Sequence, residues 1–294
     1  MYGDQAAISE LSFSAGKGEI VGLLGPNGAG KTTTMKILTC FMPPSSGTAE
    51  VCGMQVGTHD LDIKRKIGYL PEHNPLYGTM YIKEYLKFVE RLHKLSRNNN
   101  RVTDLIEKVG LGREQHKKIS QLSKGYKQRV GLAQALIHDP EVLILDEPIS
   151  GLDPNQLVEI RALISTLKKD KTVIFSSHIL QEVESICDKV VILDQGKIVA
   201  DDTLSVLGIK SDSSVEIAIE LWQEIDAMKL QYIGSVVRVE KKGPRRYNLT
   251  TTEDVREEIF DVVAQSGNKL LGMQVEHSSL EQVFKDVTQK KPSE

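Results

Sequence analysis

The sequence predicts an α/β fold: a parallel sheet covered by helices on both faces, a mostly helical insertion in its middle, and a small α+β module at its end. Three observations carry this. Short apolar runs, Ile20-Val21-Gly22-Leu23-Leu24 and Val142-Leu143-Ile144-Leu145 among them, alternate with stretches of helical periodicity. A glycine loop, Gly25-Pro26-Asn27-Gly28-Ala29-Gly30-Lys31-Thr32, stands between the first of these runs and a helix-like stretch from Lys31 to Leu38. Beyond Asp201-Asp202 the composition shifts to short alternating segments.

Taken in order, Ile8, Leu11 and Phe13 predict a strand that turns at Gly16-Lys17-Gly18 into the run at 20–24. After the loop and its helix, Pro43-Pro44-Ser45-Ser46-Gly47 is a turn signal leading to a short strand around Thr48 to Val51. Ile67 to Leu70 is a strand ended by Pro71. Ile82, Tyr85, Leu86, Val89 and Leu92 recur at helical spacing, the polar stretch 97–101 closes that helix, and Val102 to Val109 forms the next. Lys127 to Ile137 is helical until Asp139-Pro140. Strands at Val142 to Leu145, Thr172 to Ser176 and Val190 to Leu193 alternate with helices at Pro154 to Leu167 and Ile179 to Cys187, the signature of a parallel sheet. Leu204 to Ser214 is a polar linker. The second module is expected to run as strand 215–221, helix from Trp222 to Lys229, strands 236–240 and 247–251, helix 253–265 and strand 270–275, a ferredoxin-like succession, with a last helix from Ser279 to Val287 capped by Ser278 or Ser279. The expected division is 1–203, with a helical subdomain at about 72–138, a linker at 204–213, and the small module at 214–294.

Composition excludes some functions. A net charge of -3 and a pI near 6.2, with cations scattered, leave no footprint for non-specific nucleic-acid binding, so nucleic acid is not an expected partner. Cys40, Cys52 and Cys187 lack ligand or disulfide-framework spacing. No apolar run approaches the roughly 20 residues of a membrane span and Met1 to Glu10 has no signal-peptide pattern, so the chain is expected in the cytoplasm.

The loop at 25–32 fits G-x-x-x-x-G-K-[ST]. Its glycines let backbone N–H groups wrap a phosphate chain, Lys31 is suited to reach the β- and γ-phosphates, and the Thr32 hydroxyl to ligate Mg²⁺, with Thr33 continuing the cradle at the positive end of the following helix. Asp146-Glu147 emerge where the strand at 142–145 ends, the edge at which parallel sheets bind ligands. Asp146 suits a hard cation, and Glu147 suits the base that orients and deprotonates an attacking water.

Ahead of that strand, Leu122-Ser123-Lys124-Gly125-Tyr126-Lys127-Gln128-Arg129 resembles the LSGGQ signature of ATP-binding cassette (ABC) ATPases, with lysine for the first glycine and tyrosine for the glutamine, as in exporter subunits of the ABC-2 type. Physically, Ser123 and Gly125 open a helix whose free N–H groups form an anion site. The resemblance implies a P-loop NTPase fold of the ABC type that binds ATP with Mg²⁺. It further implies that two cassettes sandwich two nucleotides, as a homodimer or with a paralogous ATPase. In this likeness Ser150-Gly151-Leu152-Asp153 resembles the D-loop at the dimer seam, His178 the switch histidine at the γ-phosphate, and Tyr2 the aromatic that stacks on adenine. Glu72 stands where the family has its Q-loop glutamine. It keeps reach to Mg²⁺ or its waters but adds a charge. Relatives carry another strand before Tyr2, so the expectation is either a misassigned start or a missing edge strand, the latter exposing backbone groups and weakening adenine binding. Ser279-Leu280-Glu281-Gln282-Val283-Phe284 resembles the ending of drug-resistance-type exporter ATPases, and Tyr69 to Tyr77 the subunit associated with gliding motility.

The expected function is ATP hydrolysis that drives export through a separate multi-span ABC-2-type permease, docked on the insertion after Glu72 at the inner face of the cell membrane. The alternative is a soluble ABC ATPase that moves no substrate. Repair and chromosome-organising types need a long coiled coil, yet Lys64 to Lys118 has no sustained heptads, and translation factors carry two cassettes where this chain has one. A P-loop kinase or GTPase leaves Leu122 to Arg129 and His178 unexplained.

Overall fold

The computed structural model describes residues 6–95, 100–206, 215–276 and Phe284. Two compact units divide the chain, Met1–Thr203 and Leu204–Glu294.

In the first unit, β1 (Ile20–Leu24) leads through the glycine loop into α1 (Lys31–Leu38). The hairpin β2 (Glu50–Val51) and β3 (Met54–Gln55), α2 (Asp60–Lys66) and β4 (Ile67–Leu70) follow. The insertion holds α3 (Ile82–Leu92), α4 (Arg101–Lys108), a 3₁₀ turn at Ile119–Gln121 and α5 (Lys124–Leu136). Then come β5 (Val142–Asp146), α6 (Pro154–Leu167), β6 (Thr172–Ser177), α7 (Leu180–Ile186), β7 (Lys189–Asp194) and β8 (Lys197–Thr203).

Among the described residues the main sheet runs β4-β5-β6-β1-β7-β8. Its pairs are parallel except the last, so the sheet is mixed where the sequence predicted a parallel one. The reason is β8, Lys197-Ile198-Val199-Ala200-Asp201-Asp202-Thr203, which the sequence reading passed over. It is half-exposed and ends in acids, so it lacks the apolar run of a buried strand, and the Gln195-Gly196 turn sends it back along β7. Both faces of β1 are buried. Val21 and Leu23 join Met35 of α1 in one core, while Gly22 opens the other face to α7, where a Cβ would come within 2.8 Å of Cys187 and Val183.

Residues 8–13 form no strand: burial alternates at Leu11, Phe13 and Ala15, but the segment's backbone tie to the sheet region is a single bond, Ser9 N–H to Gly196 O at 2.8 Å. Alternation records a half-buried face, whereas a strand also needs a ladder partner. The short helix α2 was missed because seven residues with Ile63 as the one buried side chain give too little periodicity. Leu204, at the start of the predicted linker, is fully buried.

The second unit runs β9 (Val215–Leu221), α8 (Ala227–Gln231), β10 (Val236–Gly243), β11 (Arg246–Thr251), α9 (Arg256–Gln265) and β12 (Leu270–Glu276), with antiparallel sheet order β10-β11-β9-β12. Trp222 does not open a helix as predicted. It is 56% exposed, and the helix starts at Ala227, where the Asp226 carboxylate accepts the Met228 N–H at 3.0 Å. The core is built on Ile217, Ile219, Leu249, Ile259 and Tyr247. The Tyr247 hydroxyl is fully buried and donates to Ile225 O at 2.7 Å while accepting from Ile225 N–H at 3.2 Å. The expected last helix and the 279–283 part of the tail motif lie outside the described residues.

Candidate nucleotide site

The strand order sets the site. Because β1, β5 and β6 are parallel neighbours, their carboxyl ends share one edge: Leu24 pairs with Ser177, and Asp146 with Ser176. The glycine loop, the Asp146-Glu147 pair and His178 therefore meet at the position where open α/β sheets bind ligands.

Within the loop, Pro26, Asn27 and Gly28 form an exposed crest between the buried Gly25 and Ala29. A Cβ at Gly25 would meet Leu193 O at 2.3 Å, so only glycine lets the chain leave β1 here. Gly30 enters α1 at φ 108° and offers no side-chain cap. The N–H groups of Lys31, Thr32 and Thr33 thus stand in a first turn without an intrahelical acceptor, and no acid occupies that turn. Lys31 is 7% exposed and its ammonium donates to Gly25 O at 2.6 Å and Pro26 O at 3.2 Å. Burial pushes its pKa below the ordinary 10.5, while the carboxylates of Glu147, Asp146 and Glu72 pull it back up. The Thr32 side chain is exposed beside it. A buried cation, uncapped N–H groups and a glycine path barred to any Cβ fit a polyphosphate chain.

Opposite, Asp146 is 2% exposed and its Oδ1 accepts from Ser176 Oγ at 2.7 Å. The same Ser176 oxygen accepts the Glu147 N–H at 2.9 Å. Glu147 adopts φ 49°, a left-handed backbone rare outside glycine and asparagine, at the point where the chain turns out of β5. Its Oε2 lies 2.8 Å from His178 Nδ1 and its Oε1 3.9 Å from Lys31 Nζ. Burial raises the pKa of the Glu147 carboxyl, and His178 and Lys31 oppose the rise. Glu72 follows β4 and is exposed, with His73 Nδ1 at 4.0 Å. Among the predicted residues, then, Lys31, Asp146, Glu147, His178 and Glu72 gather around one point.

Ser123, Gly125 and Asp153 do not join them. Ser123 is the exposed cap of α5 and accepts from Tyr126 N–H at 3.5 Å. Gly125 abuts α6, where a Cβ would strike the Gln156 side chain at 2.1 Å. Asp153 caps α6 through Gln156 N–H at 3.0 Å, with Pro154 in the first turn. Among the described residues no hydrogen bond joins these groups to the glycine loop. Tyr2 lies outside the described residues. The sequence assigns nothing to Ser176, whose contact with Asp146 is made by strand register across 30 residues, or to Ser177, whose partners Ile179 and Glu182 are joined by a buried cap; neither leaves a recognisable pattern.

With this geometry in view, comparison with known proteins is informative. Residues 8–150 match the family described as ABC transporter. The linearmycin resistance ATP-binding protein LnrL of Bacillus subtilis is 33% identical over 297 residues, covering 98% of this chain and 95% of that protein. This chain belongs to the ABC transporter ATP-binding family. The ABC transporter ATP-binding protein YxlF of Bacillus subtilis is 44% identical over 199 residues, covering 67% of this chain and 66% of its own length. Among solved structures, the ATP binding subunit of an ABC transporter superposes with a TM-score of 0.64 at 32% identity, covering 70% of this chain and 87% of that one. The fold at the carboxyl edge is thus that of an ABC ATP-binding domain. Among the described residues no helix is long and apolar enough to cross a membrane.

Proposed function

We propose that this chain is the ATP-hydrolysing subunit of an ABC-2-type exporter, closing on a second ATPase subunit around ATP to drive a separate permease. The observation that carries this reading is the meeting of Lys31, Asp146, Glu147 and His178 at the ends of three adjacent strands.

In this account the backbone from Gly25 to Thr33, through Pro26, Asn27, Gly28, Ala29 and Gly30, surrounds the phosphates, and Lys31 supplies the charge. Thr32 and Asp146 hold Mg²⁺, with Glu72 reaching the ion or its waters. The metal, when bound, offsets negative charge on the phosphates. Glu147 orients and deprotonates the attacking water, and its burial raises its basicity towards that task. His178 fixes the glutamate and faces the γ-phosphate, and Tyr2 stacks on adenine. Ser123, Gly125 and Asp153 serve the nucleotide held by the other copy, or by a paralogous ATPase. The support is that a helix capped at an exposed serine is joined to its own chain's glycine loop by no hydrogen bond among the described residues.

The permease is assigned to the helical subdomain at about 72–138. There a groove of about 540 Å³ is lined by Met80, Tyr81 and Phe88 together with Lys83, Lys87, Arg91 and Glu84. In this reading the chain is cytoplasmic, peripheral on the inner face of the cell membrane. The likeness to LnrL, a linearmycin resistance ATP-binding protein, supports export as the direction. The division at 1–203, 204–213 and 214–294 accompanies this reading, and the strand order of the second unit, β10-β11-β9-β12, supports its ferredoxin-like description.

The test is phosphate release by Glu147→Gln. Loss of the base lowers turnover by roughly 10² to 10⁴-fold while ATP binding persists. Undiminished turnover contradicts the assignment.

A further inference from the structure

His178 is held by a device that the hydrolytic reading leaves unused. The helix α7 starts at Leu180 behind Ile179, whose side chain cannot accept any of the open N–H groups of a first turn. In a reciprocal capping box the glutamate at the third helical position accepts the N–H of the cap residue directly. Here Glu182 holds that third position, but a serine is interposed. The Ile179 N–H donates to Ser177 Oγ at 2.9 Å, and the Ser177 hydroxyl donates to Glu182 Oε2 at 2.6 Å.

Both relay side chains are out of water, Ser177 fully buried and Glu182 2% exposed. Burying a carboxyl group is costly unless hydrogen bonds and charges compensate. Burial pushes the Glu182 pKa up, whereas the Ser177 hydroxyl and the charge of Arg161 on α6 oppose the rise. Because the acid oxygen accepts the serine proton, the serine's lone pairs are left to face Ile179 N–H. His178 lies between Ser177 and Ile179, the two residues joined by the first bond of this relay, and its ring meets Glu147 at 2.8 Å.

We propose that Glu182 is a positioning residue: acting through Ser177, it fixes the backbone on both sides of His178 and so sets the imidazole against Glu147. The inference rests on the hydrolytic role assigned to Glu147 and His178. Glu182 makes no hydrogen bond to either among the described residues; its charge acts on both, and because Glu182→Ala and Glu182→Gln remove that charge alike, the difference between the two variants reads geometry. Ser176 does the corresponding work on the neighbouring strand, joining Asp146 Oδ1 to Glu147 N–H.

Glu182→Ala leaves the Ser177 hydroxyl without its acceptor, whereas Glu182→Gln keeps an oxygen that can accept. A misplaced catalytic group costs up to about 10²-fold in rate, so Glu182→Ala is expected to lower kcat about tenfold or more, with KM for ATP changed by less than about twofold. Glu182→Gln restores most of kcat, which a simple loss of packing does not allow.

A second readout does not depend on turnover. In the full chain labelled with [¹⁵N]histidine and free of nucleotide, the ring-nitrogen signal of His178 is assigned by its disappearance in His178→Gln. Glu182→Ala moves that signal, Ser177→Ala moves it in the same way, and Glu182→Gln leaves it near its original place. A His178 signal unmoved in Glu182→Ala overturns the inference, and if that variant does not fold, an unmoved signal in Ser177→Ala overturns it equally. A moved signal in a chain whose unsubstituted form hydrolyses no ATP sustains the positioning role and contradicts the hydrolytic reading instead.

Discussion

At the carboxyl edge of the main sheet, Asp146, Glu147, Ser176 and Ser177 are each less than a tenth exposed; Ser176 knits β6 to Asp146 and Glu147 by hydrogen bonds, and Ser177 bonds to Glu182 of α7. At the amino end of α5, Ser123 is exposed and reaches only its own helix, through the Tyr126 N–H at 3.5 Å. The first region has bound its polar groups to each other before any ligand arrives, which is what preorganised charge stabilisation needs. The second has not. Apart from the Tyr126 N–H that Ser123 caps, its first-turn N–H groups have no intrahelical acceptor, and in the proposed function they meet a phosphate carried by another molecule. On the proposed function, the difference teaches that one chain builds its hydrolytic half to completion and leaves its signature half open.

The sharpest way to break that comparison is to damage the open half alone. Ser123→Arg is expected to abolish ATP-driven self-association and with it nearly all phosphate release. Binding of a fluorescent ATP analogue to the separate chain should stay within about twofold, since no hydrogen bond among the described residues ties Ser123 to the glycine loop. Equal loss of both would show the two regions to be one.

A smaller effect is expected where neither region is touched. Tyr247→Phe strands the N–H and C=O of Ile225 inside the second unit, which costs roughly 1–3 kcal/mol for groups left unsatisfied. Thermal melting of that unit should fall while phosphate release per folded molecule holds. A matching fall in turnover would tie the module to the hydrolytic edge.

Smallest is a pH effect at the boundary between the helical insertion and the sheet. His93, at the end of α3, stacks on His138 with ring centroids 4.2 Å apart and planes 6° apart. His138 Nε2 meets Ile67 O at 2.9 Å, and its Nδ1 is buried without a partner among the described residues. Burial lowers the pKa of both rings, and for His138 the nearby His93 and Lys171 lower it further, while the Ile67 carbonyl and Asp139 raise it. The unfolded chain therefore binds protons that the folded chain refuses. Stability should decline as pH falls below the ordinary histidine value of 6.5, and level off once the lowered folded values are passed. His138→Asn should flatten the melting-temperature profile over that interval, and an unchanged slope would remove the pair from the account.

The hydrolytic half was far more legible in the sequence than its supports. Gly25 to Thr32 and Asp146-Glu147 are local patterns whose residue types the chemistry dictates, so their places at the strand ends followed once the strands were found. Ser176 and Glu182 were illegible because register across the sheet and a buried cap create their contacts, and neither leaves a periodic trace. The strand β8 was missed because it is half-exposed, and the segment 8–13 was overread because its alternation lacked a partner strand.

The claim that two copies share the nucleotide meets its most direct measurement in Glu147→Gln, examined by size-exclusion chromatography with multi-angle light scattering at saturating Mg-ATP. The account predicts a particle of twice the 32.7 kDa chain mass that returns to one chain when ATP is removed. A particle that stays at one chain mass, with ATP bound, would contradict it.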